Sequence, residues 1–444
     1  MSANPRPRVL VIGGGMAGMT AAARAASGGA EVTVVDISRE PGGSGRFAGY
    51  LWTAPTREVM ATENPDGDQA LRDAVVDGFA AAVAWVRSTG VEVGEAQRIL
   101  PFGRGHQIDT NQYLDVCRDL VVRRGGTVLV ETETEELRVR DGGVVGARVR
   151  TTEGETLELE ADHTILATGG FQGDPELRNA LIHPLAGSMP LRSNPHSTGA
   201  GLRLARSVGA ATGVPDAGFY GHLVPSGVPF ADPSDFVGLS LYYSEHALLF
   251  NVENKRFVDE TLGDHLTTMA LLEQPEARGL LIADARVHRE WIVGSYVEGA
   301  VGVDKFAVAS RRGGRVGLAE SLDELDYLPE EWGYDGAAIR HAIEAHNAAT
   351  VTSEGPTPGR RLDPAPLLEP PYYVVEAVPA ITFPFHGILI DADARVLAED
   401  GRPVHGLLAA GSDTGGLWNR AYAGGVAAAT VLGLTAAATA LAAS

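Results

Sequence analysis

The chain opens with an apolar, β-branched run, Val9-Leu-Val-Ile12, which breaks into Gly13-Gly-Gly15-Met-Ala-Gly18 and continues as an alanine-rich stretch. That order predicts a buried strand, a tight glycine turn and a helix. A second run, Glu31-Val-Thr-Val-Val35, ends on Asp36. From Asp68 to Gly90 apolar residues recur at helical spacing (Leu71, Val75, Val76, Phe79, Val83, Val86), and Gly90 stands where a helix should stop. Another helix is expected over about residues 111–124, leading into the strand Thr127-Val-Leu-Val130. The alternating runs Glu136–Arg140 and Val144–Thr151 flank Asp141-Gly142-Gly143, the pattern of a hairpin. Asp162-His-Thr-Ile-Leu-Ala-Thr168-Gly-Gly170 repeats the motif of a buried strand entering a glycine turn. From about Val214 prolines, glycines and aromatics increase and the βα rhythm is lost; it returns near Ala377 with Gly387–Asp391, Val404–Gly411 and a final apolar run. The pattern predicts an α/β domain with a parallel sheet, formed by residues 1–213 and 377–444, interrupted by a capping domain over 214–376.

Composition narrows the function classes. Hydrophobic residues make up 44% and charged residues 21% of the 444 positions, as in an ordinary soluble globule large enough for two domains. The net charge of −21 opposes nucleic acid and anionic membranes as partners. Cys117 is the single cysteine, which excludes an intrachain disulfide, a thiolate iron–sulfur cluster and haem attachment through Cys-x-x-Cys-His. Redox chemistry would therefore fall to an organic cofactor, and no metal site is expected. With the first strand starting at about Val9, no signal-peptide core is expected ahead of it, so the expected location is the cytoplasm. Val426–Ala442 has the length and apolarity of a membrane span, but its Ala, Gly and Thr content and lack of basic flanks predict a buried terminal helix without membrane insertion.

The spacing Gly13-x-Gly15-x-x-Gly18, with Asp36 at the end of the next strand, reads as a dinucleotide clamp. Gly13 permits the turn, Gly15 lets the backbone approach a pyrophosphate, and Gly18 lets the helix lie against the strand. Met16 and Ala17 begin that helix, whose free N–H groups face the phosphates, while Asp36, beside Ile37, can bond a ribose hydroxyl. The turn alone admits NAD or FAD. With one such fingerprint in the chain, a single nucleotide cofactor performs the redox step, and late residues favour FAD. Asp413 offers a carboxylate to ribityl hydroxyls, and Gly424, Gly425 and Val426 open a helix whose N–H dipoles can face the flavin pyrimidine. Gly43, Ser44 and Gly45, and the turn Ala167-Thr168-Gly169, complete the cofactor-binding candidates.

These motifs resemble the FAD-dependent fumarate reductase and succinate dehydrogenase flavoprotein superfamily, in the branch of 3-ketosteroid dehydrogenases and tricarballylate dehydrogenases. Besides the glycine turns, the resemblance rests on Ser197-Thr-Gly199-x-Gly201, Lys255-Arg-Phe-Val-Asp-Glu260, Ile381-Thr-Phe383, Arg395-Val-Leu397, Gly406–Gly411 and Tyr422-Ala-Gly-Gly425. It implies a Rossmann-like FAD-binding domain of the GR2 type, interrupted by an inserted α+β capping domain, with substrate held between cap and flavin. Two departures stand out. Fumarate reductases carry a proton-donating Arg shortly after the Arg-Phe motif, whereas Thr261-Leu-Gly-Asp-His265 has none. Members with covalent flavin use a His near the Gly-Gly-Ser loop, and Ser44-Gly-Arg-Phe-Ala48 contains none, so the FAD is expected to be non-covalent.

For chemistry, Tyr422 matches the Tyr of the branch's Tyr-Pro-Gly segment and is expected to bind a substrate carbonyl together with a Gly424 or Gly425 N–H. Proton-transfer candidates are Tyr242, Tyr243 and His386, with His222 and His246 behind them. Phe383, Phe385, Trp52, Tyr50, Phe219 and Tyr220 are candidates for an aromatic pocket. If Arg420 reaches the site the substrate is an acid; if Tyr422 does, it is a ketone. The expectation is an FAD-dependent oxidoreductase acting on CH–CH groups, forming or reducing a C=C bond next to a carbonyl in a small apolar substrate, with an unidentified electron acceptor or donor. The alternatives are a flavin oxidase, a fumarate-reductase-like reductase of a small unsaturated acid, and an electron-transfer flavoprotein.

Overall fold

The computed structural model describes residues 6–100, 102–214, 217–230, 235–294, 302–350, 355 and 357–442. Strand β1 (Arg8–Ile12), helix α1 (Met16–Ser27) and strand β2 (Glu31–Val35) form the first βαβ unit. Along the chain follow β3 (Thr127–Leu129), β4 (His163–Leu166), β5 (Phe219–Pro225), α2 (Asp264–Leu272), β6 (Tyr372–Pro384), β7 (Arg395–Leu397), β8 (Pro403–Ala409) and α3 (Gly425–Ala442). The described residues form two compact units. One comprises the residues up to Ile182, Ser193–Phe219 and those from Phe383 onward; the other comprises His183–Arg192 and Tyr220–Thr382.

The first unit is built on a sheet of order β7-β8-β4-β1-β2-β3, parallel except for the β7 edge. Its central strands are apolar runs because both faces are covered. The glycine turns after β1 and β4, Asp36 after β2 and Gly411 after β8 all lie at carboxyl ends of strands, where open α/β sheets bind ligands. Gly13 is confined to glycine twice over: its φ is +101°, and a Cβ would sit 2.2 Å from the Ala167 carbonyl oxygen. At Gly18 a Cβ would meet the Gly13 oxygen at 1.8 Å, so α1 lies against β1 only without a side chain there.

The helix expected between Asp68 and Gly90 spans Gln69–Ser88, capped by the Asp68 carboxylate on the Leu71 N–H. The hairpin extends to a three-stranded meander, residues 132–140, 143–151 and 156–160; Asp141 and Gly142 take the left-handed turn positions and Gly143 already belongs to the second strand. Helix α3 is the one helix among the described residues long and apolar enough to cross a membrane, and 61% of that stretch is buried in the protein. Small residues let it pack closely: a Cβ at Gly433 would lie 2.6 Å from the Ala17 oxygen of α1.

The second unit holds a five-stranded sheet in which β6 pairs antiparallel with the strands at Gly279–Ala283 and Val316–Ala319. Two buried carboxylates organise its charge. Glu260 accepts from Arg256 through both oxygens and faces Arg360, so much of the Lys255–Glu260 motif is structural cross-bracing. Glu376 accepts from Arg278 through one oxygen and from Arg315 through the other. The units divide after Phe219 and Thr382, within β5 and β6, and not after residues 213 and 376. A change of residue texture marks where loops begin; it carries no mark for a division inside a continuous strand. The excursion His183–Arg192 into the second unit likewise has no sequence signal.

Candidate active site

A groove with about 1000 Å³ of empty space runs along the carboxyl ends of the sheet in the first unit. Gly13, Gly15, Met16 and Ala17 form its floor where α1 begins. Asp36, Ile37, Gly43, Ser44, Gly45, Ala167, Thr168 and Gly169 also line it, so the structure brings most of the expected cofactor candidates together. The helix start leaves N–H groups without intrahelical partners. Asp36 accepts from the Gly14 N–H at 2.6 Å and the Ser38 N–H at 2.7 Å, which fixes its carboxylate beside the groove.

The glycines test what the groove can hold. Gly13 and Gly18 are demanded by packing, but a Cβ at Gly15 would meet nothing nearer than the Gly42 oxygen at 3.8 Å, and its φ is −75°. No protein atom requires glycine there, and the bare backbone is open to an occupant lying against it. A dinucleotide pyrophosphate on the helix N-terminus fits that opening.

Asp413 occupies another place than expected. It is 2% exposed and accepts from the Thr168 N–H (2.5 Å), Thr168 Oγ1 (2.9 Å) and the Gly170 N–H (2.9 Å). Its carboxylate pins the second glycine turn to the segment after β8, while Ser412, one residue earlier, lines the groove. Burial pushes the Asp413 carboxyl up, opposed by those N–H donors. Sequence reasoning missed Ser412, along with Thr132–Thr134, Asn194, His196–Thr198 and Arg203 on the groove wall. Of these, Ser197 and Thr198 fall in the Ser197–Gly201 motif, which carries no local sign of a role.

A second cavity, with about 330 Å³ of empty space, shares Gly411, Ser412 and Ala429 with the groove. Phe383, Phe385, Trp418 and Gly425 line it. Tyr422 belongs to the same aromatic cluster, its ring 5.3 Å from Trp52, 5.8 Å from Phe383 and 5.7 Å from Trp418. Gly424 (φ +93°) holds the turn into α3, where a Cβ would strike the Trp52 oxygen at 1.7 Å; Gly425 and Val426 are the first residues of α3. Trp418, which the sequence reading did not select, is 7% exposed and its indole N–H is buried without a partner. It is an open hydrogen-bond donor in an apolar wall.

Five candidates line neither cavity. Arg420 pairs with Glu63 at 3.2 Å. Tyr243 is 3% exposed in the core of the second unit; burial pushes its hydroxyl above the ordinary tyrosine range, which removes it as a base. His386 is 5% exposed in the first unit, with Nδ1 3.2 Å from the Val214 oxygen and its ring edge-on to Phe171; burial lowers its basicity. Tyr242 lies in the second unit with its hydroxyl accepting from Arg192 at 3.0 Å. The His246 imidazole pairs with Asp363 at 2.6 Å. Among the described residues no group of His, Cys, Asp and Glu is arranged to hold a metal ion.

A family model described as an FAD binding domain matches residues 8–427. A fumarate reductase (cytochrome) from Shewanella frigidimarina is 25% identical over 449 residues, covering 96% of this chain and 75% of that protein. A 4-oxocyclohexanecarboxylate 2-dehydrogenase from Sinomonas cyclohexanicum is 28% identical over 334 residues, 68% of this chain and 55% of that protein. The solved structure of 3-ketosteroid delta1-dehydrogenase from Sterolibacterium denitrificans superposes with a TM-score of 0.79 at 18% identity, over 98% of this chain and 99% of that one, and shares its fold.

Proposed function

Since the chain belongs to the FAD binding domain family and is an FAD-dependent oxidoreductase of the C=C reductase and dehydrogenase type, we propose that it forms or removes a double bond next to a carbonyl in an apolar substrate. The observation that carries this reading is the join between the groove and the aromatic cavity at Gly411 and Ser412. The groove suits the nucleotide and the cavity suits an apolar ring. Among the described lining residues of that cavity there is no Arg or Lys, and the nearby Arg420 is paired with Glu63. A dicarboxylate would have to shed its hydration there without a cation to replace it.

Gly13, Gly15, Met16 and Ala17 hold the FAD pyrophosphate, with Gly18 keeping α1 against β1, Asp36 and Ile37 the adenosine side, and Gly43–Gly45 and Ala167–Gly169 the remainder of the groove. When bound, FAD supplies the hydride acceptor or donor. The Tyr422 hydroxyl and the Gly425 N–H polarise the substrate carbonyl, which makes the proton on the adjacent carbon removable. Trp52, Phe383, Phe385 and Trp418 exclude water around them. The 4-oxocyclohexanecarboxylate 2-dehydrogenase among the relatives supports dehydrogenation beside a carbonyl.

Two outcomes follow. Precipitation with trichloroacetic acid should release the flavin into the supernatant; flavin left on the pellet contradicts the non-covalent assignment. Arg420→Gln should leave the KM for a cyclic enone within about 3-fold, less than the 10-fold that about 1.4 kcal/mol of lost binding would produce. A large rise in KM restores a binding role for Arg420. The function itself is tested by whether enones or unsaturated acids reoxidise the reduced enzyme without oxygen.

A further inference from the structure

One buried side chain in the first unit holds the stretch from which Trp418 and Tyr422 project. Asn64 follows the helix Arg57–Glu63 as its C-cap and is 0% exposed. Its Oδ1 accepts from three successive backbone N–H groups, those of Asn419 (3.2 Å), Arg420 (3.2 Å) and Ala421 (3.0 Å). Its Nδ2 donates to the Ala421 oxygen at 2.9 Å. Three donors on one side and an acceptor on the other fix which way the carboxamide is turned. The Asn64 backbone oxygen in turn accepts from the buried Arg72 guanidinium.

The neighbours of Asn64 extend the join. The Asp68 N–H donates to the Gly416 oxygen at 2.7 Å, and Asp66 exchanges two hydrogen bonds with the Asn419 carboxamide, at 3.2 and 3.1 Å. At Gly67 a Cβ would lie 2.5 Å from the Leu417 oxygen, so the two backbones approach more closely than a side chain permits. The Glu63–Arg420 pair closes the outer end, which gives Arg420 a place in this clamp. Residues 63–68 and 416–421 both belong to the first unit.

Residues 417–421 form no helix or strand, so their backbone groups need partners from elsewhere. Drawing the N–H groups of 419–421 onto one oxygen curls the chain between Trp418 and Tyr422, whose rings stand 5.7 Å apart. The curl therefore brings together the open Trp418 indole N–H and the residue whose hydroxyl is proposed to meet the substrate carbonyl. We propose that Asn64 is a positioning residue that sets the place of the Tyr422 hydroxyl by holding this curl. The inference rests on the proposed role of Tyr422. Asn64 lines neither cavity and acts only through the loop. Its carboxamide supplies both the acceptor and the donor that the loop needs; an aspartate would lose the donor and place a charge where there is no exposure. A donor aids the reaction only where the oxyanion develops, and a displacement of about 1 Å can cost about 100-fold in rate.

The test is a double-mutant cycle on the FAD-loaded enzyme. Wild type, Asn64→Ser, Tyr422→Phe and the double variant are reduced anaerobically and mixed with 2-cyclohexen-1-one, fumarate or urocanate in parallel. With whichever probe reoxidises the flavin, Asn64→Ser should slow reoxidation at least about 10-fold while FAD affinity stays within about 3-fold of wild type. In the Tyr422→Phe background the same substitution should change the rate by less than about 3-fold, because the hydroxyl it positions is gone; a merely structural residue gives losses that multiply. If Asn64→Ser does not retain flavin, Asn64→Asp, which keeps an acceptor for the three N–H groups, takes its place under the same criteria. A second readout uses flavin-free protein carrying 5-fluorotryptophan at its five tryptophans. The Trp418 fluorine resonance, assigned with Trp418→Phe, should be a single line in the wild type and shift or split in the Asn64 variant. Multiplying losses, a rate within about 3-fold of wild type in the Asn64 variant, or an unmoved Trp418 resonance overturns the inference. Reoxidation by fumarate or urocanate alone overturns the enone reading while the cycle still decides the role of Asn64. If none of the three reoxidises the flavin, the enone reading falls and the fluorine spectrum decides whether Asn64 holds the loop.

Discussion

Replacing Gly15 with valine is expected to yield a folded protein that no longer retains flavin. The two halves of this result have separate causes. The backbone at Gly15 is extended, with φ −75° and ψ −168°, a conformation open to any residue, and the nearest atom to an added Cβ is 3.8 Å away. The fold therefore loses only the difference between glycine and a β-branched residue at a helix N-cap, about 1 kcal/mol, or a few degrees in the Tm of the flavin-free protein. The valine methyls project into the groove, where the pyrophosphate must lie against the helix N-terminus. Affinity for FAD should drop at least about 100-fold, the equivalent of about 2.8 kcal/mol. Gly13→Ala is the contrasting case: its Cβ would overlap the Ala167 carbonyl, so stability and flavin should be lost together. Flavin fluorescence titration and thermal melts of both variants separate the two causes. Normal FAD affinity in Gly15→Val would mean that the cofactor does not approach this turn.

Tyr422→Phe is expected to keep the flavin and the fold while slowing the anaerobic reaction about 100-fold, the scale of losing one donor to a developing oxyanion. Phenylalanine preserves the ring contacts with Trp52, Phe383 and Trp418, so the substitution removes a hydroxyl and little else. The loss should appear in the rate of flavin reduction or reoxidation more than in the apparent affinity for substrate, because the hydroxyl is asked to bind charge that develops during the reaction. A rate within about 3-fold of wild type would assign Tyr422 to packing alone.

Much of this site can be read from the chain because glycine requirements are local. Gly13 and Gly18 announce a turn that only glycine can make, and Asp36 follows at the end of the next strand. The apolar runs of β1, β2 and β4 likewise reflect burial on both faces. What could not be read depends on which residues meet across the fold. Ser412 and Asp413 are adjacent and both polar, yet one lines the groove and the other turns inward to bind Thr168 and Gly170. Nothing local distinguishes them. Tyr242 and Tyr243 present the same difficulty: consecutive side chains diverge, one to the Arg192 guanidinium and one into the core. Arg420 looked available because Glu63, its partner, is 357 residues away in the chain. His222 is a further case, since its partner Asp264 on α2 stands 42 residues on, beyond any spacing rule.

The most direct test of the central claim is anaerobic reoxidation of the reduced flavoenzyme, followed by flavin absorbance, with 2-cyclohexen-1-one and fumarate offered separately. Rapid return of oxidised flavin with the enone, and none with fumarate, is the predicted result. Reoxidation by fumarate with no response to the enone would contradict the account.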